Sequence, residues 1–284
     1  MQPSRTRSLL AVAALMIALA FPVPGQQAES QAAAPQLSDA DKEQFLLTAK
    51  VVRTRGVSTG ITGTQRATLD DGKLVHDASI QTVDIYKPTF QTAAGTELNF
   101  RDSYKYNIAA YRLDRMLGLD MIPVSVERKV GGKTGAVTWW VDNVQMMEKQ
   151  RYQKKITAPD ADDWNDQMYQ VRVFNELVYN TDANLGNLLI TEDWKLRMID
   201  FTRAFRLYKD LREPKNLTNC KLDRRVYDGL GGLNEQVLSQ RIGDVLRSPE
   251  ISSLLDRRDR ILAYFAEQIA NKGEQAVICD KLGH

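Results

Sequence analysis

Residues 180–203 constrain this chain more than any other segment. They read Asn180-Thr-Asp182-Ala-Asn184-Leu-Gly186-Asn187, then two short apolar runs, 188–191 and 195–199, then Asp200-Phe201. Two apolar runs around the polar turn Glu192-Asp193-Trp194 predict a β-hairpin. A hairpin brings the end of its second strand back to the start of its first, so Asp200 returns beside Asn187. Asp182 stands five residues before Asn187, across a loop that Gly186 helps to turn. This order gathers two carboxylates and one amide oxygen at a single place.

Phosphoryl transfer needs such groups. Mg²⁺ prefers hard oxygen ligands and keeps some of its waters, so a carboxylate, an amide oxygen and nucleotide phosphates suffice to hold it. Asn187 and Asp200 are the candidate metal ligands. Asp182 is the candidate catalytic residue, orienting or deprotonating the attacking hydroxyl.

The upstream half reads as a small sheet with one inserted helix. Ser38 is a good N-cap for a helix to about residue 49. Strands are expected at 51–55, 67–69 and 78–86, with Gly56-Val-Ser-Thr-Gly60-Ile-Thr-Gly63 between the first two. A helix capped by Asp102 should run to residue 117, because Tyr106, Ala109, Ala110, Leu113, Met116 and Leu117 keep helical spacing, and Gly118 should end it. Strands at 122–126 and 136–141 follow, joined at Gly131-Gly132. The downstream half is mainly helical: 164–179, then 234–246 and 249–271. The fold class is therefore α+β in two lobes. The expected division is 1–25 signal peptide, 26–37 linker, 38–148 N-terminal lobe and 149–284 helical C-terminal lobe.

Here a resemblance becomes specific. The Asp182–Asn187 loop and Asp200 are similar to the catalytic loop and metal-binding Asp of protein kinases. They lie nearer the atypical branch of HipA toxins, phosphatidylinositol 3/4-kinases and secretory-pathway Golgi casein kinases. The segment from Asn107 to Gly118, followed by Ile122-Pro123-Val124, resembles the helix of that branch's N-terminal lobe. The resemblance covers about residues 51–205. It implies ATP and Mg²⁺ or Mn²⁺ as cofactors, with a protein or small hydroxyl compound as acceptor. It also implies that Gly56, Gly60 and Gly63 cover phosphates, although their spacing is not the usual kinase form. Trp139, Trp140, Val141, Met146 and Met147 fall where the hinge and adenine pocket would be.

The same resemblance marks departures. The branch pairs a strand-three Lys with a Glu on the inserted helix. Asn107 stands at the Glu position, and Glu97 is a possible substitute acid. Two registers are open for the Lys, Lys87 or Gln81, and Lys87 is the one adopted. Ala183 and Asn184 replace the cation that often follows the catalytic Asp. Arg203, Arg206 and Lys209 could meet phosphate or simply face solvent. An altered enzyme and a pseudokinase that binds nucleotide or protein both fit these departures.

Composition narrows the rest. Lys and Arg number 38 against 36 Asp and Glu, a balance that predicts neither a nucleic-acid footprint nor a polybasic membrane patch. Two histidines, His76 and His284, leave little room for His-based catalysis or structural zinc. Arg5 and Arg7 precede an apolar run at 9–21 that Pro22 and Pro24 break, the outline of a secretory signal peptide. The mature protein is expected to be secreted or periplasmic, without stable membrane insertion. In an oxidising compartment Cys220 and Cys279 could pair, contributing about 3–4 kcal/mol, or stay as separate thiols.

Overall fold

The computed structural model describes residues 37–57, 63–92 and 95–280. It begins with α1 (Asp39–Thr48), capped by Ser38 through a reciprocal bond with Asp41. Strands β1 (Lys50–Gly56), β2 (Gln65–Asp70) and β3 (Val75–Gln81) follow, then a separate hairpin, β4 (Asp84–Thr92) with β5 (Gly95–Ser103). Next come α2 (Lys105–Leu117), β6 (Ser125–Val130) and β7 (Lys133–Trp139). The main sheet is antiparallel in the order β1-β2-β3-β7-β6. It is the expected N-terminal sheet with one inserted helix.

Side-chain alternation gives this sheet two unlike faces. His76, Ala78 and Ile80 of β3 look to one side, opposite Leu69, Ala67, Val137 and Trp139. That side is apolar, and α1 and α2 pack on it. Trp139 belongs here: it stacks on His76 at 3.7 Å between centroids and meets Phe45 edge-on. It is therefore core rather than hinge. Asp77, Ser79 and Gln81 point the other way, beside Thr68, Arg66 and Thr138. This second face is polar.

Two expectations shift. The strand placed at 78–86 is two strands, because the chain leaves the sheet at Thr82-Val83 and turns into β4. Asp102 does not cap α2. Tyr104 holds the N-cap position without a side-chain bond, and Asp102 lies 3.8 Å from Arg203 instead. Gly118 does end the helix, in the left-handed region at φ 67°.

The C-terminal half is built on α4 (Ala161–Leu177) and α7 (Ser248–Lys272), with α5 (Arg224–Gly232) and α6 (Glu235–Ile242) beside them. A short strand, β8 (Val144–Met147), and α3 (Glu148–Lys154) link the halves. β8 pairs with β9 (Leu188–Thr191), which pairs with β10 (Leu196–Met198). The connection between the halves is thus hydrogen-bonded to the hairpin that carries Asp200. The chain closes with α8 (Glu274–Val277) and a two-residue parallel ladder, β11 (Leu222–Asp223) with β12 (Ile278–Cys279). No disulfide joins Cys220 to Cys279. Cys220 is buried and donates to the Asn216 carbonyl at 3.2 Å. No helix among the described residues is long and apolar enough to cross a membrane.

Gly135 on β7 ties this packing to the polar face. A Cβ there would lie 2.3 Å from the Gln81 carbonyl oxygen and 2.8 Å from Thr82 Cγ2. Gly135→Ala should cost about 1–3 kcal/mol, read as a lowered melting temperature in thermal denaturation.

Candidate active site

Local chemistry explains the loop after α4. Asn180 accepts from the Asp182 N–H at 3.0 Å through its side chain, a turn of the kind Asn favours. Asn184 accepts from the Gly186 N–H at 2.8 Å and donates to Asp182 Oδ1 at 3.2 Å. Asn187 donates through Nδ2 to the Asp182 carbonyl at 3.2 Å, which sets its side-chain oxygen on the opposite edge of the amide. The Asn187 carbonyl accepts from the Ile199 N–H at 3.0 Å. That last bond closes the hairpin at the residue before Asp200, as the sequence pattern predicts.

Asp200 sits at φ 60°, a left-handed conformation that an Asp adopts only at some cost. Its neighbours fix it there. Phe201 is buried and packs edge-on against Phe174 of α4. Thr202 donates to Asp200 Oδ1 at 3.2 Å, and its carbonyl accepts from the Ser103 N–H at 2.8 Å. The Arg203 carbonyl accepts both the N–H and the hydroxyl of Thr181, which binds this segment to the residue before Asp182. Burial pushes the Asp200 carboxyl above the usual range, and the nearby Asp182 charge pushes it further. Hydrogen bonds from Gln81 and Thr202 pull the other way.

The opposite wall comes from the sheet and α2. Gln81 donates through Nε2 to Asp200 Oδ1 at 3.4 Å and to Thr64 Oγ1 at 3.1 Å. Asn107 donates to Gln81 Oε1 at 2.5 Å and accepts from the Phe201 N–H at 2.8 Å. Both amides are buried, at 7% and 6% exposure, so these bonds are what keep their polar atoms satisfied. Thr64 lies at the base of the glycine-rich turn, where the Val57 N–H reaches its carbonyl at 3.1 Å. Gly56 and Gly63 flank that turn. Gly60 lies outside the described residues.

The register question has a geometric answer. Gln81 faces Asp200. Lys87, the residue adopted from sequence, lies exposed on the β4–β5 hairpin with its ammonium over the Phe90 ring. The hairpin is an insertion between β3 and α2, so counting on from a single long strand overshoots by six residues. Glu97 does not replace the helix carboxylate either. It pairs with buried Arg206 at 2.7 Å. Arg203 lies against Asp102, and Lys209 pairs with Asp256 on the surface.

No family model and no curated protein matches the chain. Solved structures do. A structure of hydra Fam20 with sugar aligns at TM-score 0.64 and 17% identity, covering 85% of this chain and 92% of that one. Two structures of the Golgi casein kinase, one with Mn and ADP bound, align at TM-scores of 0.58 and 0.59 and 13% identity. Each covers 84% of this chain and 78% of that one. This chain has an atypical kinase-like fold.

Across the cleft from Asp200 stand two neutral amides bonded to each other, Gln81 and Asn107, and no cation–carboxylate pair joins these two positions. Sequence reasoning also missed Arg257 of α7. It is fully buried, and donates to the carbonyls of Leu177 at 2.7 Å, Arg206 at 3.0 Å and Tyr208. It therefore clamps the end of α4 to the segment after Asp200. Burial pushes its pKa down to about 10. Nothing in the sequence separates it from the exposed arginines of the same helix.

Asn107→Ala should orphan the Phe201 N–H and the Gln81 side chain, at about 1–3 kcal/mol for each group, measured by denaturant unfolding. Asp200 gives a pH signature. Its folded pKa is raised, so its contribution to stability is full below the ordinary carboxylate value. That contribution is lost as pH rises through the raised value. Metal-free Asp200→Asn should therefore melt above the parent at pH 8, and the gap should shrink towards pH 4.

Proposed function

We propose that the chain is an exported kinase-like phosphotransferase. It would use ATP with Mg²⁺ or Mn²⁺ to phosphorylate a hydroxyl of a protein or a small molecule. The observation that carries this reading is the gathering of Asp182, Asn187 and Asp200, which three separate sets of hydrogen bonds hold together. The donor set suits a hard cation, since it offers carboxylate and amide oxygens. Among the described residues no three His, Cys, Asp or Glu cluster as a metal cage. A cation here would take its remaining ligands from phosphate and water. The raised pKa of Asp200 beside the Asp182 charge fits a place that a cation would relieve. Bound there, the metal would neutralise phosphate charge.

In this reading the acceptor oxygen attacks the terminal phosphorus, the bond to the bridging oxygen of ADP breaks, and the hydroxyl proton passes to Asp182. Gln81 steadies Asp200, and Gly56 and Gly63 would lie against the phosphates. Hydra Fam20, whose structure contains sugar, makes a sugar hydroxyl the first acceptor class to try beside protein substrates. Export rests on the N-terminal basic start and apolar run.

One observation favours a second reading. With Gln81 and Asn107 in place of an ion pair, the cleft lacks the usual cation, as a nucleotide-binding pseudokinase would.

The test uses thermal shift and labelled ATP together. Mn²⁺ with ATP should raise the melting temperature, and Asp200→Asn should abolish the rise. Asp182→Asn should keep the rise but lower turnover roughly 10²–10⁴-fold. A shift without turnover on any acceptor selects the pseudokinase. No shift at all in the parent sinks both readings.

A further inference from the structure

A cavity of about 460 Å³ lies apart from this cleft, between β5, the first turn of α2 and the turn joining α6 to α7. Arg101, Lys105 and Arg247 line it, with Ser103, Ser248 and Tyr106. Its two carboxylates are already engaged. Asp244 takes Arg112 in two bonds, at 2.6 and 2.9 Å. Glu250 is buried and accepts from the Tyr106 hydroxyl at 2.6 Å, from the Arg247 N–H at 2.7 Å and from the Arg247 guanidinium.

Arg101 and Lys105 have no such partner. Neither makes an ion pair with any described residue. The Arg101 guanidinium lies over the Tyr86 ring at 5.0 Å, and its buried Nε makes no hydrogen bond. A buried donor without an acceptor is costly, and an anion in the cavity would remove that cost. Two uncompensated cations, a third on the facing wall and two hydroxyls are the chemistry of an oxyanion site.

We propose that this cavity binds a phosphate-bearing small anion, held by Arg101 and Lys105 on one side and Arg247 on the other. Lys105 stands two residues before Asn107 on α2. An anion here would brace the helix that holds Gln81 and Phe201, and would tie it to the α6–α7 turn. The site is independent of whether the cleft is catalytic.

The probe is inorganic phosphate, added to the metal-free protein without nucleotide, against chloride at equal ionic strength. Phosphate should give a saturable rise in melting temperature, about 3 °C at ten times its Kd. Arg101→Gln with Lys105→Gln should remove that rise. Asp200→Asn should keep it, and loss of the rise in the cavity variants is what separates this site from phosphate bound in the nucleotide cleft. Should the double variant fail to fold, Lys105→Gln alone should weaken phosphate binding at least threefold. An equal rise in the cavity variants and the parent overturns the proposal, as does a rise that chloride reproduces or one that Asp200→Asn abolishes.

Discussion

The Asn107 side chain is the point on which the two halves of the cleft depend. It is one amide with two jobs, donating to Gln81 of the sheet and accepting from the Phe201 backbone of the Asp200 segment. An amide can do this because it carries a donor and an acceptor on opposite edges. A carboxylate in its place could accept from Phe201 but could not donate to Gln81. The neutral partner on β3 and the neutral partner on α2 therefore belong together. Changing one alone would leave a buried mismatch.

A second constraint opposes the first. Asp200 is half-buried in a left-handed conformation with another carboxylate nearby, an arrangement that the fold must enforce. Enforcement comes from both sides. Phe201 anchors one flank in the core against Phe174, while Arg257 fixes the backbone after Asp200 to the end of α4. A buried guanidinium spread over three carbonyls makes no ion pair with a described residue, and burial lowers its pKa although Asp256 and Glu176 act against that from a distance. Strain kept in place at considerable cost by the surroundings is common where a site must be ready before its ligand arrives.

Much of this was legible from local pattern. The Ser38 cap, the Gly118 stop, the Gly131-Gly132 turn and the hairpin before Asp200 all rest on short-range rules, and each appears where those rules put it. The losses have physical causes. The β4–β5 hairpin buries little apolar surface, with Phe100 inside but Ile85, Tyr86 and Leu98 exposed, so the alternation that marks a strand is weak. Missing it placed the expected cleft-facing residue at Lys87, whereas Gln81 is the one that faces Asp200. The strand β8 is four residues whose partner lies more than forty residues on, a pairing no local rule can see. Arg257 looks like any helix-surface arginine until its three carbonyls are known.

The amide pair also separates two properties that sequence comparison tends to merge. The amide pair brings no charge to the cleft, but it keeps the connection between sheet, helix and Asp200. Gln81 still reaches Asp200, and Asn107 still reaches Gln81, so the geometry that an ion pair would impose is kept by hydrogen bonds. On the proposed function, the amide pair would supply no Coulombic neutralisation of phosphates, and that role would fall on a cation between Asp200 and Asn187. Such a cleft would tie nucleotide binding to metal more strictly than one with its own lysine, because Gln81 brings no positive charge.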